Sequence, residues 1–128
     1  MPCVRIATGT WAIGIEMNLI EAVQSALVSA FKIPEWDRDV VLDLYDESRR
    51  IVSTGRSERY TRIEIVGIAA RSMDAKRALF KTIADNLQAL GVPRNETRIY
   101  LIEPPPESWG IKGGVPASEA DLGFKVDV

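Results

Sequence analysis

A proline directly follows the initiator methionine in the opening stretch "MPCVRIATG". Removal of Met1 would leave Pro2 with a free secondary amine, a base and nucleophile that no side chain provides. Burial in an apolar pocket near a cation lowers the pKa of such an amine, so that it is neutral near pH 7 and can accept a proton. Pro2 is therefore the first candidate catalytic residue.

The composition excludes most other sources of catalysis. The chain has no histidine and a single cysteine, Cys3, so that Ser-His-Asp, Cys-His and histidine-zinc chemistries are excluded. Carboxylates, lysine, tyrosine, cysteine and the chain terminus remain as acids or bases. Cys3 should point to the sheet face opposite that of Pro2, and we interpret it as a small buried residue rather than a nucleophile. Neither glycine-rich segment has phosphate-loop spacing, and we expect no cofactor or metal.

The charge balance restricts the partners. A formal charge of −2 and a pI near 5.2, with no run of lysine or arginine, argue against binding to nucleic acid or an anionic membrane. The sequence shows neither an 18-residue apolar stretch nor the pattern of a signal peptide, and we expect a cytoplasmic protein.

Hydrophobic periodicity predicts two β-α-β units. In the first, "CVRIAT" and "VVLDLY" are predicted strands, and a helix over about residues 15–31 is expected to end at Pro34. In the second, "TRIEIVGIA" and "TRIYLIE" are predicted strands, and Ser72 is expected to cap the helix between them with Asp74 in its first turn. The fold class is thus α/β (α+β), a four-stranded mixed sheet with two long helices on one face.

The two units also align with each other at an offset of about 59 residues. "AFKIPEWDRDVVL" aligns with "ALGVPRNETRIYL", so that Pro34 corresponds to Pro93. We divide the single domain, residues 1–128, into a first repeat over about 2–45, a connector over about 46–60, a second repeat over about 61–103 and a tail over about 104–128. The helices cover only one sheet face, and the other is expected to be apolar and to bind further copies of the chain.

A pseudo-two-fold between the units would make their first strands antiparallel. Pro2 would then lie close to "AARSMD", where the third strand ends and the second long helix begins. Arg71 stands at this junction beside the free N–H groups of a helix N-terminus, which suits a carboxylate. The alternative is a solvated arginine at a helix start.

Three motifs resemble the tautomerase superfamily, in particular its fused branch typified by malonate semialdehyde decarboxylase. "FKIPEWDR" is similar to that branch's Phe-Gly-Val-Pro-Glu-x-Asp-Arg, "RSMDAKRALFK" to its Arg-Ser-x-x-x-Lys, and "LIEPPPESWGIKGG" to its pocket-lining tail. The resemblance implies a homotrimer in which Arg71 binds substrate and Trp109 and Ile111 line the pocket. It implies that Asp37 activates water or steers the proton of Pro2, whereas by itself Asp37 would be an ordinary surface acid with Asp39 and Asp43 as competitors.

An apolar wall around Pro2 would lower the pKa of its amine, and Trp109, Ile111 and Phe124 are the candidates for it. The alternative is that these three side chains pack in the core or in a trimer interface.

The sequence departs from the decarboxylase at Ala69, where that enzyme has a second arginine. The leading prediction is therefore a cofactor-independent keto-enol tautomerase of a small 2-oxo or enol carboxylate, with Pro2 as general base and acid. The first alternative is hydration or decarboxylation of a 3-oxo or unsaturated acid, with Asp37 activating water and a protonated Pro2 polarising the substrate. The second is a non-catalytic trimeric scaffold or partner-binding protein.

Overall fold

Two helices lie on one face of a four-stranded mixed sheet in the computed structural model, which describes residues 2–128. The strands are β1 (Cys3–Gly9), β2 (Val40–Tyr45), β3 (Thr61–Val66) and β4 (Thr97–Ile102), and the helices are α1 (Glu16–Phe31) and α2 (Met73–Ala89). The order across the sheet is β2-β1-β3-β4, with β1 parallel to β2, β3 parallel to β4, and β1 antiparallel to β3. The predicted fold of two β-α-β units, with antiparallel first strands, is confirmed.

The two units share one register. Val4 pairs with Val40 and Ile63 pairs with Ile99, a shift of 59 residues on both strands. The turn before each unit's second strand closes with the same backbone hydrogen bond, from Asp37 N to Pro34 O at 3.0 Å and from Glu96 N to Pro93 O at 2.9 Å. The internal two-fold therefore relates both strands and turns.

Helix α1 is held by an apolar face and ended by its own backbone. Leu19, Val23 and Leu27 recur every four residues and are fully buried against the sheet. The helix ends at Phe31 because Lys32 adopts a left-handed conformation with φ of 57°. The predicted helix over about residues 15–31 is confirmed, and Pro34, predicted to stop it, lies three residues beyond its last turn.

Helix α2 begins as the sequence predicts. The Oγ of Ser72 accepts a hydrogen bond from Ala75 N at 3.1 Å, and Asp74 lies in the first turn, which confirms the cap. Leu79, Ile83 and Leu87 form its buried face. Within residues 2–128, neither helix has the length and apolar character needed to cross a membrane.

The sheet face away from the helices is more polar than predicted. Arg5 and Asp43 form an ion pair there at 3.4 Å, and Arg62 lies near them on β3. The expectation of an apolar face is wrong, because charged residues occupy alternate positions of the strands. Strand β3 is also shorter than "TRIEIVGIA", since it ends at Val66.

Candidate active site

The head of β1 and the end of β3 meet at one edge of the sheet. Pro2 is buried and precedes Cys3, whose antiparallel partner is Val66, so that Gly67 follows at the level of Pro2. A Cβ atom on Gly67 would lie 3.9 Å from Nη1 of Arg71. The structure therefore brings Pro2 and Arg71 to the same end of the sheet.

Arg71 is buried, and two of its three guanidinium nitrogens are unpaired among the described residues. The side chain is 6% exposed, its Nη1 donates to the Ile68 carbonyl at 3.1 Å, and its guanidinium lies 4.8 Å from the ring centroid of Phe31. Nε and Nη2 have no hydrogen-bond partner within residues 2–128. A buried donor without a partner is costly, and these two nitrogens form the edge of the guanidinium that can bind a carboxylate with two parallel hydrogen bonds.

The electrostatics of Arg71 follow from this burial. Loss of solvation lowers the pKa of the guanidinium, and the negative charges of Asp37 and Glu103 oppose that shift. The arginine stays charged because its ordinary pKa is far above neutrality. An anion at this edge of the sheet would therefore meet a poorly solvated positive charge.

Asp37 lies on a turn that other residues hold firmly. The buried Gln24 of α1 donates from Nε2 to the Asp37 carbonyl at 3.0 Å, and Val4 N donates to the Asp39 carbonyl at 2.9 Å. The charge of Asp37 acts both on Arg71 and on Cys3, the neighbour of Pro2. The half-buried Asp37 thus belongs to the electrostatic surroundings of the Pro2 end.

The two competing acids have other contacts. Asp43 is paired with Arg5 on the sheet face away from the helices, which we call the open sheet face. Asp39 forms a hydrogen bond with the thiol of Cys3. Partial burial, and secondly this hydrogen bond, raise the pKa of the thiol to about 11. Cys3 itself is exposed, so the prediction of a small buried residue is wrong. Alternation puts it on the open face, which neither helix covers.

The tail folds back over this end of the sheet. The Pro104 carbonyl accepts hydrogen bonds from Ala69 N at 3.3 Å and from Trp109 Nε1 at 3.1 Å, so the indole lies against the loop that leads to Arg71. Ile111 is half-buried in a small hairpin formed by β5 (Gly110–Ile111) and β6 (Val115–Pro116).

The last residues connect the two charged elements of the site. The half-buried Phe124 contacts Trp36, next to Asp37, edge to face with ring centroids 6.0 Å apart. Ser72 N, next to Arg71, donates to the Val128 carbonyl at 2.8 Å. The tail therefore spans from the Asp37 turn to the start of α2.

Sequence reasoning missed three residues of this region. Gln24 holds the Asp37 turn, Phe31 packs under the Arg71 guanidinium, and Glu103 acts on Arg71 while its carboxylate pairs with Lys76 at 2.6 Å. Gln24 had a visible signal, since it is the one polar residue among the buried positions of α1. The other two had none, because their contacts join distant parts of the chain.

Residues 37–112 match the family described as tautomerase enzyme. The chain belongs to the tautomerase family. The match begins at Asp37 and includes Arg71, Trp109 and Ile111. This tautomerase-family chain is also 39% identical over 59 residues to a probable tautomerase of Ralstonia nicotianae. The aligned segment covers 45% of this chain and 83% of the relative.

Solved structures extend the likeness to most of the chain. FG41 malonate semialdehyde decarboxylase, inhibited by 3-bromopropiolate, is 27% identical with a TM-score of 0.78, covering 89% of this chain and 92% of that one. A native fused 4-OT is 24% identical with a TM-score of 0.80, and the match covers 95% of this chain and 99% of that one. A fused 4-OT that forms an asymmetric trimer is 22% identical with a TM-score of 0.80, and the match covers 91% of this chain and 96% of that one. The latter two share the fold, and the resemblance to the tautomerase superfamily is confirmed.

Proposed function

We propose that this chain is a cofactor-independent keto-enol tautomerase of a small 2-oxo or enol carboxylate, with the Pro2 amine as general base and acid. The observation that carries the proposal is the unpaired Nε and Nη2 edge of the buried Arg71. That edge fits a carboxylate, and it lies at the end of the sheet where Pro2 begins β1.

The reaction moves one proton between two sites of the substrate. Arg71 holds the carboxylate, and the Pro2 nitrogen takes the proton from the enol oxygen. The electrons of that O–H bond form the carbonyl, and the carbon–carbon double bond takes a proton from the Pro2 ammonium to form the new C–H bond. No redox partner or cofactor enters this balance, and positioned proton transfer of this kind contributes roughly 10² to 10⁴ in rate.

The surroundings of Pro2 support a neutral amine. Burial removes solvent from the nitrogen, and the positive charge of Arg71 at the same sheet end disfavours a second cation. Trp109, Ile111 and Phe124 supply the apolar wall that keeps water from this end. Asp37 steers the proton of Pro2.

The assembly in this proposal is a homotrimer in which copies of the chain pack against the Pro2 end of the open sheet face. Neither helix covers that face, and exposed apolar residues such as Val41 and Ile102 lie beside its charges. Fused 4-OT relatives with the same fold form trimers.

A second candidate function is hydration or decarboxylation of a 3-oxo or unsaturated acid. It is favoured by the 27% identity to a malonate semialdehyde decarboxylase and by the charge of Asp37 near Arg71. In this reaction Asp37 activates water and a protonated Pro2 polarises the substrate. Ala69 counts against it, since no guanidinium stands at that position to polarise the substrate a second time.

The deciding experiment is the ketonisation rate of phenylenolpyruvate. Untagged protein with Met1 removal verified by mass is compared with Pro2→Ala and with a preparation that retains Met1, in which the Pro2 nitrogen is an amide without basicity. We expect a rate well above background that collapses in both comparisons. A rate that is absent, or indifferent to Pro2, would contradict the tautomerase and leave the lyase or a non-catalytic scaffold.

Arg71 is tested against a matched arginine of the same helix region. Arg71→Gln removes the carboxylate partner, whereas Arg77→Gln removes an exposed arginine whose partner is Asp74 at 2.9 Å. We expect a loss of kcat/KM only in Arg71→Gln. Equal losses in the two variants would contradict a specific carboxylate contact.

A further inference from the structure

The internal two-fold relates the Pro2 end of the sheet to its opposite end. A shift of 59 residues, taken from the strand register, places Thr61 where Pro2 stands and Glu96 where Asp37 stands. The connector then corresponds to the tail, with Arg50 at the position of Trp109. The opposite end is therefore built like the proposed active site but from different side chains.

A cavity of about 250 Å³ lies at this opposite end. Its lining includes the side chains of Tyr45, Arg49, Arg50, Val52, Tyr60 and Arg62, and no acidic residue. The volume is that of about eight water molecules at ~30 Å³ each, which suits a small organic anion. We name it the connector cavity, after the segment that covers it.

The arginines of the connector cavity form no ion pair among the described residues. Arg50 donates from Nη1 to the Tyr60 carbonyl at 2.9 Å and from Nη2 to the Glu58 carbonyl at 2.8 Å, and both acceptors are neutral. Within residues 2–128, Arg49, Arg50 and Arg62 form no ion pair, whereas six other basic side chains do. Three arginines thus line one small space without an ion-pair partner, and Asp43, beside Ala7 in the sheet register, is already paired with Arg5.

Two of these arginines, Arg50 and Arg62, lie close enough to affect each other electrostatically. Partial burial lowers the pKa of Arg50, and the nearby positive charge of Arg62 lowers it further. Like charges held together in a partly dehydrated place cost free energy until an anion joins them. A neighbouring cavity that Arg50 also lines contains Asp46, Glu47 and Glu58, so an anion is favoured on the acid-free side.

We propose that the connector cavity is a second, non-catalytic binding site for a small ligand with two or more anionic oxygens, a di- or tricarboxylate or a phosphorylated acid. The arginines bind the anionic oxygens, and the Tyr45 and Tyr60 rings line the cavity. Proton transfer does not take place there, because the nitrogen of Thr61 is an amide bonded to Tyr60. The Thr61 hydroxyl is engaged with the Arg59 carbonyl and with Thr8, both at 2.9 Å.

The test is calorimetric titration of the untagged protein with citrate and, separately, with inorganic phosphate, at low and high salt. The key variant is Arg49→Gln, because the Arg49 side chain makes no hydrogen bond among the described residues that the change would break. Arg50→Gln is the second variant, and Arg77→Gln is the control with the same change in charge. We expect one probe to bind with an affinity about tenfold or more weaker in both connector variants, unchanged in the control, and reduced by salt.

The outcome separates this site from the proposed active site. Citrate binding without phosphate binding identifies a carboxylate site, and the reverse identifies a phosphate site. Binding must survive in Pro2→Ala and Arg71→Gln, whether or not the chain is a tautomerase. The proposal is overturned if neither probe binds, if Arg71→Gln abolishes binding, if Arg77→Gln weakens it as much as Arg49→Gln, or if copies of the chain bury the cavity and exclude both probes.

Discussion

Replacing Arg71 by methionine should separate stability from activity. The change removes two buried donors without partners, each of which costs ~1–3 kcal/mol in the folded state. It also removes the hydrogen bond to the Ile68 carbonyl, worth ~1.5–3 kcal/mol for a charged donor, and the contact with Phe31, worth ~0.5–2 kcal/mol. The gains and losses nearly cancel, while methionine keeps much of the packing volume.

We therefore expect the free energy of unfolding of Arg71→Met to lie within ~1 kcal/mol of the wild-type value, with kcat/KM for enol ketonisation lowered ~100-fold or more. The activity loss follows from two charge-assisted hydrogen bonds to the substrate carboxylate, together worth ~3 kcal/mol or more. Urea unfolding at a fixed protein concentration and initial-rate kinetics measure the two quantities.

Lys76→Met is the matched comparison for the stability arm. Lys76 pairs with Glu103 at 2.6 Å, with about a fifth of each side chain exposed, and its loss leaves the Glu103 carboxylate without that partner. We expect this variant to lose more stability than Arg71→Met, although it removes the same charge. If Arg71→Met instead loses 3 kcal/mol or more, the guanidinium is satisfied by the fold and the argument for a carboxylate site is refuted.

Four further outcomes test the site. Gln24→Leu removes the hydrogen bond that Nε2 donates to the Asp37 carbonyl and should cost ~0.5–1.5 kcal/mol in urea unfolding; an unchanged midpoint would contradict the anchoring. Asp37→Asn should lower the ketonisation rate, because Asp37 steers the proton of Pro2 in the proposed tautomerase, but by less than Pro2→Ala; an unchanged ketonisation rate together with a lost hydration or decarboxylation rate would favour the water-activating role. Ala69→Arg should raise malonate semialdehyde decarboxylation if the missing guanidinium limits that reaction, with Ala69→Gln as the uncharged control. The Cys3 thiol, whose pKa is raised to about 11, should react with a disulfide reagent ~10-fold more slowly at pH 8 than a thiol of pKa 9.0, because its ~100-fold smaller thiolate fraction is partly offset by the greater nucleophilicity of that thiolate. Its rate should still rise above pH 9, and a plateau near pH 9 would contradict the shift.

The sequence predicted what depends on periodicity and on the internal repeat. Alternation located β1 and β2, and the antiparallel relation of the two units brought Pro2 to the junction of Arg71, because both features follow from local patterns. Apolar periodicity also predicted the extent of α1, whereas the left-handed Lys32 that closes the helix was not predicted, because a left-handed lysine has no sequence signal as clear as that of a proline. Cys3 was assigned to a buried site because alternation separates two faces without revealing which one is covered.

Long-range polar contacts were beyond the sequence for a different reason. Gln24 meets the Asp37 carbonyl only because α1 packs beside the turn that follows it, and the unpaired edge of Arg71 arises only once Ile68 occupies the other side of its guanidinium. Whether a hydrogen-bond donor finds an acceptor depends on every group near it in space. Such features can therefore be read from a structure, whereas a pattern of residue types does not contain them.

The two ends of the sheet also explain why duplication need not give two active sites. A proton-transferring amine requires a free terminal nitrogen, and only Pro2 can have one, because the nitrogen of Thr61 is bonded to Tyr60. The opposite end therefore does not need to keep an amine neutral. In the proposed function, that need explains apolar residues such as Trp109 near Pro2. Arg50 at the corresponding position would replace an apolar wall by a hydrated charge, but it is compatible with a site that only binds an anion. The loss of symmetry between the two ends therefore follows from the chemistry of a single nitrogen.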